Sequence, residues 1–357
     1  MSTLYANNIF RCILKYMKDF ERTGNKLLTA VAYGDAAGLP VEAKSATYIA
    51  MRYGAITQLI PPVENPFYSG DLPEGTWSDD THLSLAVTKA IIKANGFDLQ
   101  LQAESHIDAY HETPLVISPN GKESKQGWGG STTRSVERMI GGTPPQSAGE
   151  IEGAGNGILM KMAPLVFWQA AKGMDESERY VQYDQLTTMT HDSDVARICT
   201  RVHGNSLHYL LTQQYDPSEF IDYIVDAAVY HETLFEQDGR VSSHLRYLQQ
   251  NSHPSSQQIL DQFENTKSGF KYGFYAPETL AIAYGVFMTH SPDFKKSVFS
   301  AVNIGGDSDS TASIVASMVN FSCKGELNLP DDYSKVADRM QLEKVAQQLT
   351  ALALKHN

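Results

Sequence analysis

An all-α domain is what this sequence predicts, and three observations carry the prediction. Apolar residues recur at helical spacing along most of the chain. Alternating strand patterns are scarce and do not interleave with helices as a parallel sheet requires. Glycine, proline and serine gather in a few long loops instead of the evenly spaced turns of a β fold.

Element by element, Ile9, Phe10, Ile13, Met17 and Phe20 share one face of a first helix. A run of small residues, LLTAVAYGDAAG, forms a small-residue helix ending near Gly38, where Ala and Gly let another element approach closely. The stretch 61–76 is a Pro/Gly-rich loop, and Thr81–Ala94 is a helix free of Gly and Pro. Further loops are predicted at 118–132, 141–157 and 265–277, and further helices over 194–212, 217–230, 277–289, 310–321 and 335–355. The tetrapeptide YHET occurs at 110–113 and 230–233, too little to indicate duplication, and it lacks the second His of a zinc protease motif.

Composition narrows the function. With 357 residues, 42% of them hydrophobic, the chain can bury a sizeable core. Its net charge of −12 argues against nucleic acid or an anionic membrane surface as partner. Cys12, Cys199 and Cys323 form no CxxC pair, so they read as reduced thiols and not as a zinc or redox motif. No apolar run approaches the ~20 residues of a membrane span. Arg11, Lys15, Lys18 and Asp19 interrupt any signal-peptide core. The expected compartment is the cytoplasm.

Two acidic clusters carry the chemistry. Ser78-Asp79-Asp80-Thr81 lies where the first loop enters a helix, and Asp307-Ser308-Asp309-Ser310-Thr311 opens another. N-capping explains one carboxylate at each helix start. It explains two less well, because neighbouring carboxylates repel. Carboxylate and hydroxyl oxygens together suit a hard divalent cation. Local spacing alone leaves capping and metal binding level. Asp35, in the small-residue helix, wants a buried partner. The turn Gly155-Asn156-Gly157 departs from GxGxxG, so a dinucleotide fold is not indicated, although its N–H groups suit a phosphate.

Taken in order, GDAAGLPVE at 34–42, WSDDT at 77–81, GWGGST at 127–132, GNGILMKMAPL at 155–165, THDSD at 190–194 and NIGGDSDST at 303–311 resemble the motifs of the ADP-ribosylglycohydrolase family. The resemblance implies a compact orthogonal multi-helix fold with two Mg²⁺ ions, replaceable by Mn²⁺, at the base of a cleft. It implies metal ligands at Ser78, Asp79, Asp80, Asp307, Asp309 and Ser310. Asp80, Asp307, Asp309 and Glu42 become the catalytic candidates. Trp128, Gly129, Gly130, Ser131, Gly155, Asn156, Gly157, Met160 and His191 become the substrate-binding candidates. Tyr272, Phe274 and Tyr275 are loop aromatics able to stack on adenine. The sequence departs from the family pattern with Ser at 78 and 310 in place of Thr, and with Lys161 in place of Arg, a point donor where the family has a fork. The implied activity is hydrolysis of the N-glycosidic bond between ADP-ribose and a protein arginine.

Residues 1–26 read as a separate basic amphipathic extension before a domain spanning 27–357. Arg11, Lys15, Lys18, Arg22 and Lys26 stand against Asp19 and Glu21, a net of +3. Such a segment is either an extra packed helix or an arm for a partner, with an ADP-ribosyltransferase toxin as the candidate and an immunity role for the hydrolase. The competing reading of the whole chain is a catalytically silent binder or a crystallin-like structural protein. Retention of all four aspartates at 79, 80, 307 and 309 favours an enzyme.

Overall fold

Helix α14 (Ser308–Ser322) is buried from Ser308 to Phe321, and the other elements are laid around it. The computed structural model describes residues 3–63, 65, 67, 72–117, 123–251, 253–263 and 272–355. The predicted loops at 61–76, 118–132 and 265–277 fall partly outside these residues, as does the start of the extension. The remaining helices are α1 (Thr3–Gly38), α2 (Ala46–Tyr53), α3 (Asp79–Ala94), α4 (Leu99–Glu112), α5 (Gly130–Ile140), α6 (Ala163–Ala171) and α7 (Glu176–Thr188). They continue as α8 (Asp194–Thr212), α9 (Pro217–Leu234), α10 (Ser242–Gln250), α11 (Ser256–Phe263), α12 (Ala276–His290), α13 (Phe294–Ile304) and α15 (Arg339–Leu354). The all-α expectation holds. The β structure among the described residues consists of short two-stranded pairs and one isolated bridge.

The small residues of α1 do what their size permits. A Cβ on Gly34 would lie 2.3 Å from the Ala312 carbonyl oxygen, and one on Gly38 equally close to that of Ser308. The two helix backbones are therefore nearly in contact, and Asp35 and Glu42 are carried to the N-terminus of α14. α3 and α15 flank α1, while α8, α12 and α13 pack on α14. α1 crosses the predicted boundary at 26/27 as one continuous helix. Its C-terminal part is tied to the body: Phe20 is buried against Phe167, Arg22 pairs with Glu326 at 2.7 Å, and Lys26 donates to the Gly325 carbonyl at 2.8 Å. Lys15 and Lys18 are exposed.

Short strand pairs fasten the functional loops. β1 (Lys44–Ser45) runs antiparallel to β6 (Gly305–Gly306), and Ala43 adds a hydrogen bond to the Gly306 carbonyl. Both glycines have positive φ, +78° and +69°, and a Cβ on Gly306 would sit 2.4 Å from the Tyr272 oxygen. A hairpin joins β2 (Leu115–Ile117) to β3 (Glu123–Lys125), and β4 (Glu150–Ile151) runs parallel to β5 (His191–Asp192). No helix among the described residues is long and apolar enough to cross a membrane.

Candidate functional site

The N-termini of α3, α5 and α14 border one cavity of about 220 Å³. From α3 come Asp79 and Asp80, and from the start of α14 come Asp307, Asp309 and Ser310. α5 contributes Gly129, Gly130, Ser131 and Thr132. The turn Gly155-Asn156-Gly157, Met160 and His191 close a further side, with Glu42 and Phe274 completing the wall. Two of the predicted site residues stand off it. Ser78 caps α3, accepting from the Asp80 N–H and donating to Asp80 Oδ2 at 3.2 Å. Trp128 is buried edge-on against Tyr110, and its indole donates to Thr113 Oγ1 at 3.1 Å.

The carboxylates are held from several elements. Asp80 bridges α3 to α14: Ser313 donates to Oδ1 at 2.8 Å and Ser310 to Oδ2 at 3.2 Å. Asp307 accepts from Asn156 Nδ2 at 2.8 Å, and Glu42 from Asn65 Nδ2 at 3.0 Å. Asp35 accepts from Ser78 N, Thr81 N and Thr81 Oγ1, so the partner expected for it is the loop that starts α3. Oxygens of Asp35, Asp80 and Asp309 lie within 4.8 Å of one another, and those of Glu42, Asp307 and Asp309 do likewise.

This crowding is electrostatically adverse. Burial, then the charge of Asp80, pushes Asp79 well above the usual carboxylate range. Burial, then Asp307, does the same to Glu42, and burial, then Glu42, to Asp309. Asp80 rises through burial and Asp35, Asp307 is raised chiefly by burial, and burial lifts Asp35 to about 6. Asp309 Oδ1 is buried with no hydrogen-bond partner. An orphaned oxygen in a set of hard oxygen donors fits a divalent cation, whose charge such a set lacks.

The same cavity has a second kind of lining. Gly129 starts α5 without a side-chain cap, leaving the first N–H groups of the helix unpaired, and Gly129 to Thr132 line the cavity. Such a terminus attracts anions. Thr132, the last residue of the GWGGST motif, lines the cavity with Gly129, Gly130 and Ser131. Ser313 was missed by the sequence reading, though it stands one helical turn from Ser310 and its spacing could have found it. Asn65, in an irregular loop, gave no local signal.

Comparison with known proteins places the chain among relatives of one family. The ADP-ribosylglycohydrolase family pattern matches residues 21–357. An uncharacterized protein of Archaeoglobus fulgidus is 24% identical over 331 residues, covering 92% of this chain and 96% of its own. The ADP-ribosylarginine hydrolase Tri1 of Serratia proteamaculans is 21% identical over 294 residues, covering 79% and 69% respectively. Among solved structures, an ADP-ribosylglycohydrolase-related protein complex superposes with a TM-score of 0.64 at 22% identity, over 94% of this chain and 99% of that one, which establishes the shared fold. With the family pattern running along nearly its whole length, this chain belongs to the ADP-ribosylglycohydrolase family.

Proposed function

We propose that the protein hydrolyses the N-glycosidic bond between ADP-ribose and a protein arginine, using two magnesium ions. One observation carries the reading: buried carboxylates from three separate segments meet in a cavity that an uncapped helix N-terminus also lines. The acids suit cations and sugar hydroxyls, and the helix end suits a diphosphate. The arginine acceptor is supported by the distant Serratia relative.

Asp79, Asp80, Asp307, Asp309 and Ser310 would hold the ions, with Ser78 orienting Asp80 through its hydroxyl. Asp35 is close enough to take part in the same group. Bound magnesium supplies Lewis acidity toward water and toward the ribose hydroxyls. The chain's own residues supply the rest. The N–H groups at Gly130, Ser131 and Thr132 receive the diphosphate, and Gly155 and Gly157 let the substrate approach the backbone. Met160 packs on the ribose, and Phe274 offers a ring for the base. Positive charge that develops at the anomeric carbon is met by the carboxylates of Asp80 and Asp307. One of the buried carboxylates takes the proton of the attacking water. Glu42, held by Asn65, is placed to handle the proton of the departing guanidine.

The test is release of ADP-ribose from arginine-modified protein in Mg²⁺ and in EDTA. Release in Mg²⁺ alone is expected, and none in either, across several acceptors, would favour the silent binder. The arm remains part of the proposal. Because Arg22 and Lys26 are engaged with the body, partner binding falls to the residues before Phe20. Removing residues 1–19 should weaken binding to an ADP-ribosyltransferase without changing hydrolysis, and unchanged affinity would remove the idea.

A further inference from the structure

A chain of side chains runs from the interior to the cavity, and its hydrogen-bond polarity can be worked out atom by atom. Lys161 ends the 3-10 turn Asn156–Lys161 and is fully buried. Its Nζ lies 3.2 Å from His106 Nε2 and 3.3 Å from Thr190 Oγ1. His106 Nδ1 lies 2.7 Å from the Gln102 carbonyl, and Thr190 Oγ1 lies 2.9 Å from His191 Nδ1.

A carbonyl only accepts, so His106 Nδ1 carries a hydrogen. Burial holds His106 well below the usual imidazole range, so the ring is neutral and its Nε2 is a lone pair. Lys161 must donate to it. The second Lys161 N–H goes to Thr190 Oγ1. That hydroxyl has one remaining partner among the described residues, His191 Nδ1, and donates its proton there. A neutral His191, which burial keeps down at about 3, then carries its hydrogen on Nε2. As an ammonium, Lys161 has no lone pair and can only donate to Thr190 Oγ1, so the order is fixed in that form.

We infer that Lys161 and Thr190 are positioning residues that lock His191 in its Nε2–H tautomer, so that the cavity meets a hydrogen-bond donor and never an acceptor at this point. The surroundings keep that donor open. Nε2 makes no hydrogen bond among the described residues, and the missing side chains of Gly155 and Gly157 would have stood 3.7 and 3.6 Å from it. The backbone of Thr190 is clamped as well, its carbonyl accepting from Ser135 Oγ at 2.9 Å and Glu150 N at 3.1 Å. The ligand group selected here is an acceptor oxygen, a hydroxyl or phosphate oxygen of ADP-ribose. That last assignment rests on the function proposed above, whereas the tautomer lock does not.

Nitrogen NMR of the free protein labelled in its histidine rings reads the tautomer directly. His191 is expected as a single Nε2–H species, and a Nδ1–H or mixed species would overturn the inference. Thr190→Val, and Lys161→Met to a lesser degree, should turn that signal into a mixture, with Thr190→Ser restoring the single species. A single species unchanged in Thr190→Val would also overturn it. ADP-ribose binding is the second readout. An even tautomer mixture doubles Kd, and loss of ring orientation extends the rise to about tenfold in Thr190→Val. Should the wild-type protein fail to bind ADP-ribose, the proposed function falls while the NMR result still decides the lock.

Discussion

Asp309→Asn should make the metal-free protein more stable and remove most of its response to magnesium. The Asp309 carboxyl is buried, its Oδ1 lacks a partner, and it faces Glu42, Asp307 and Asp80. Its folded pKa is raised, so its ionisation opposes folding: the stability it contributes is full below the ordinary carboxylate range and is lost as pH rises through that raised value. Asparagine cannot ionise and can still donate to Asp307. Relief of an unsatisfied charged group is worth roughly 1–3 kcal/mol. At about 2 °C per kcal/mol for a chain of this size, Tm in EDTA should rise by roughly 2–6 °C at pH 7.5. Wild-type protein at a hundredfold excess of Mg²⁺ over Kd gains about 2.7 kcal/mol, or roughly 5 °C, and the variant far less. Thermal melts in EDTA and in Mg²⁺ check both arms, alongside loss of turnover. A variant that melts below wild type in EDTA would refute the view that these acids repel one another until a cation arrives.

Lys161→Met probes a buried amine that burial lowers to about 7, with Asp79 partly opposing the shift. A depressed lysine favours the fold at high pH and loses that contribution as pH falls toward 7, so wild type should gain about 1.4 kcal/mol per pH unit relative to the variant between pH 7 and 10; parallel urea-unfolding profiles would contradict this. Gly34→Ala drives a methyl against the Ala312 carbonyl, so it should cost about 1–3 kcal/mol or more and reduce magnesium-induced stabilisation as α14 shifts, both read by thermal melts. Trp128→Phe loses the hydrogen bond to Thr113 off the cavity wall, so stability should fall by about 1 kcal/mol while kcat/KM for ADP-ribosylarginine protein stays within about twofold. Asn156→Ala frees Asp307 Oδ2 and should weaken magnesium binding, which calorimetry reads directly.

The main helices were legible because their apolar stripes are long. The predicted run 194–212 matches α8 residue for residue, and 310–321 lies within α14. The stretches not singled out have physical reasons. α5 buries Thr132, Ser135, Val136 and Met139, half of them polar, so no apolar stripe marks its inward face. α7 is polar along most of its length. α13 is different, since Phe294, Val298 and Val302 repeat every four residues and could have been read. At the site, paired carboxylates at helix starts were visible, but the direction of each side chain was not. Ser78 shows why: a capping oxygen and a ligand oxygen want the same residue at the same place. Trp128 shows it again, because a glycine-rich turn does not say which way its single large side chain points.

The same geometry explains why the acids are set in so stiff a frame. Carboxylates from residues 42, 80 and 309 would separate if their segments could move, since burial and then neighbouring carboxylates raise each of them. Two features prevent it. The near-contact of α1 with α14 leaves no space to slide, because the backbone at Gly34 and Gly38 already touches the opposite helix. The β1–β6 pair binds the segment after Glu42 to the glycines just before Asp307, in a backbone conformation that those glycines make accessible. Repulsion that cannot relax by movement relaxes instead by taking up a proton or a cation. Packing remote from the cavity thus sets its affinity for charge, and substitutions along the α1–α14 contact should act on the chemistry without touching a single liganding atom.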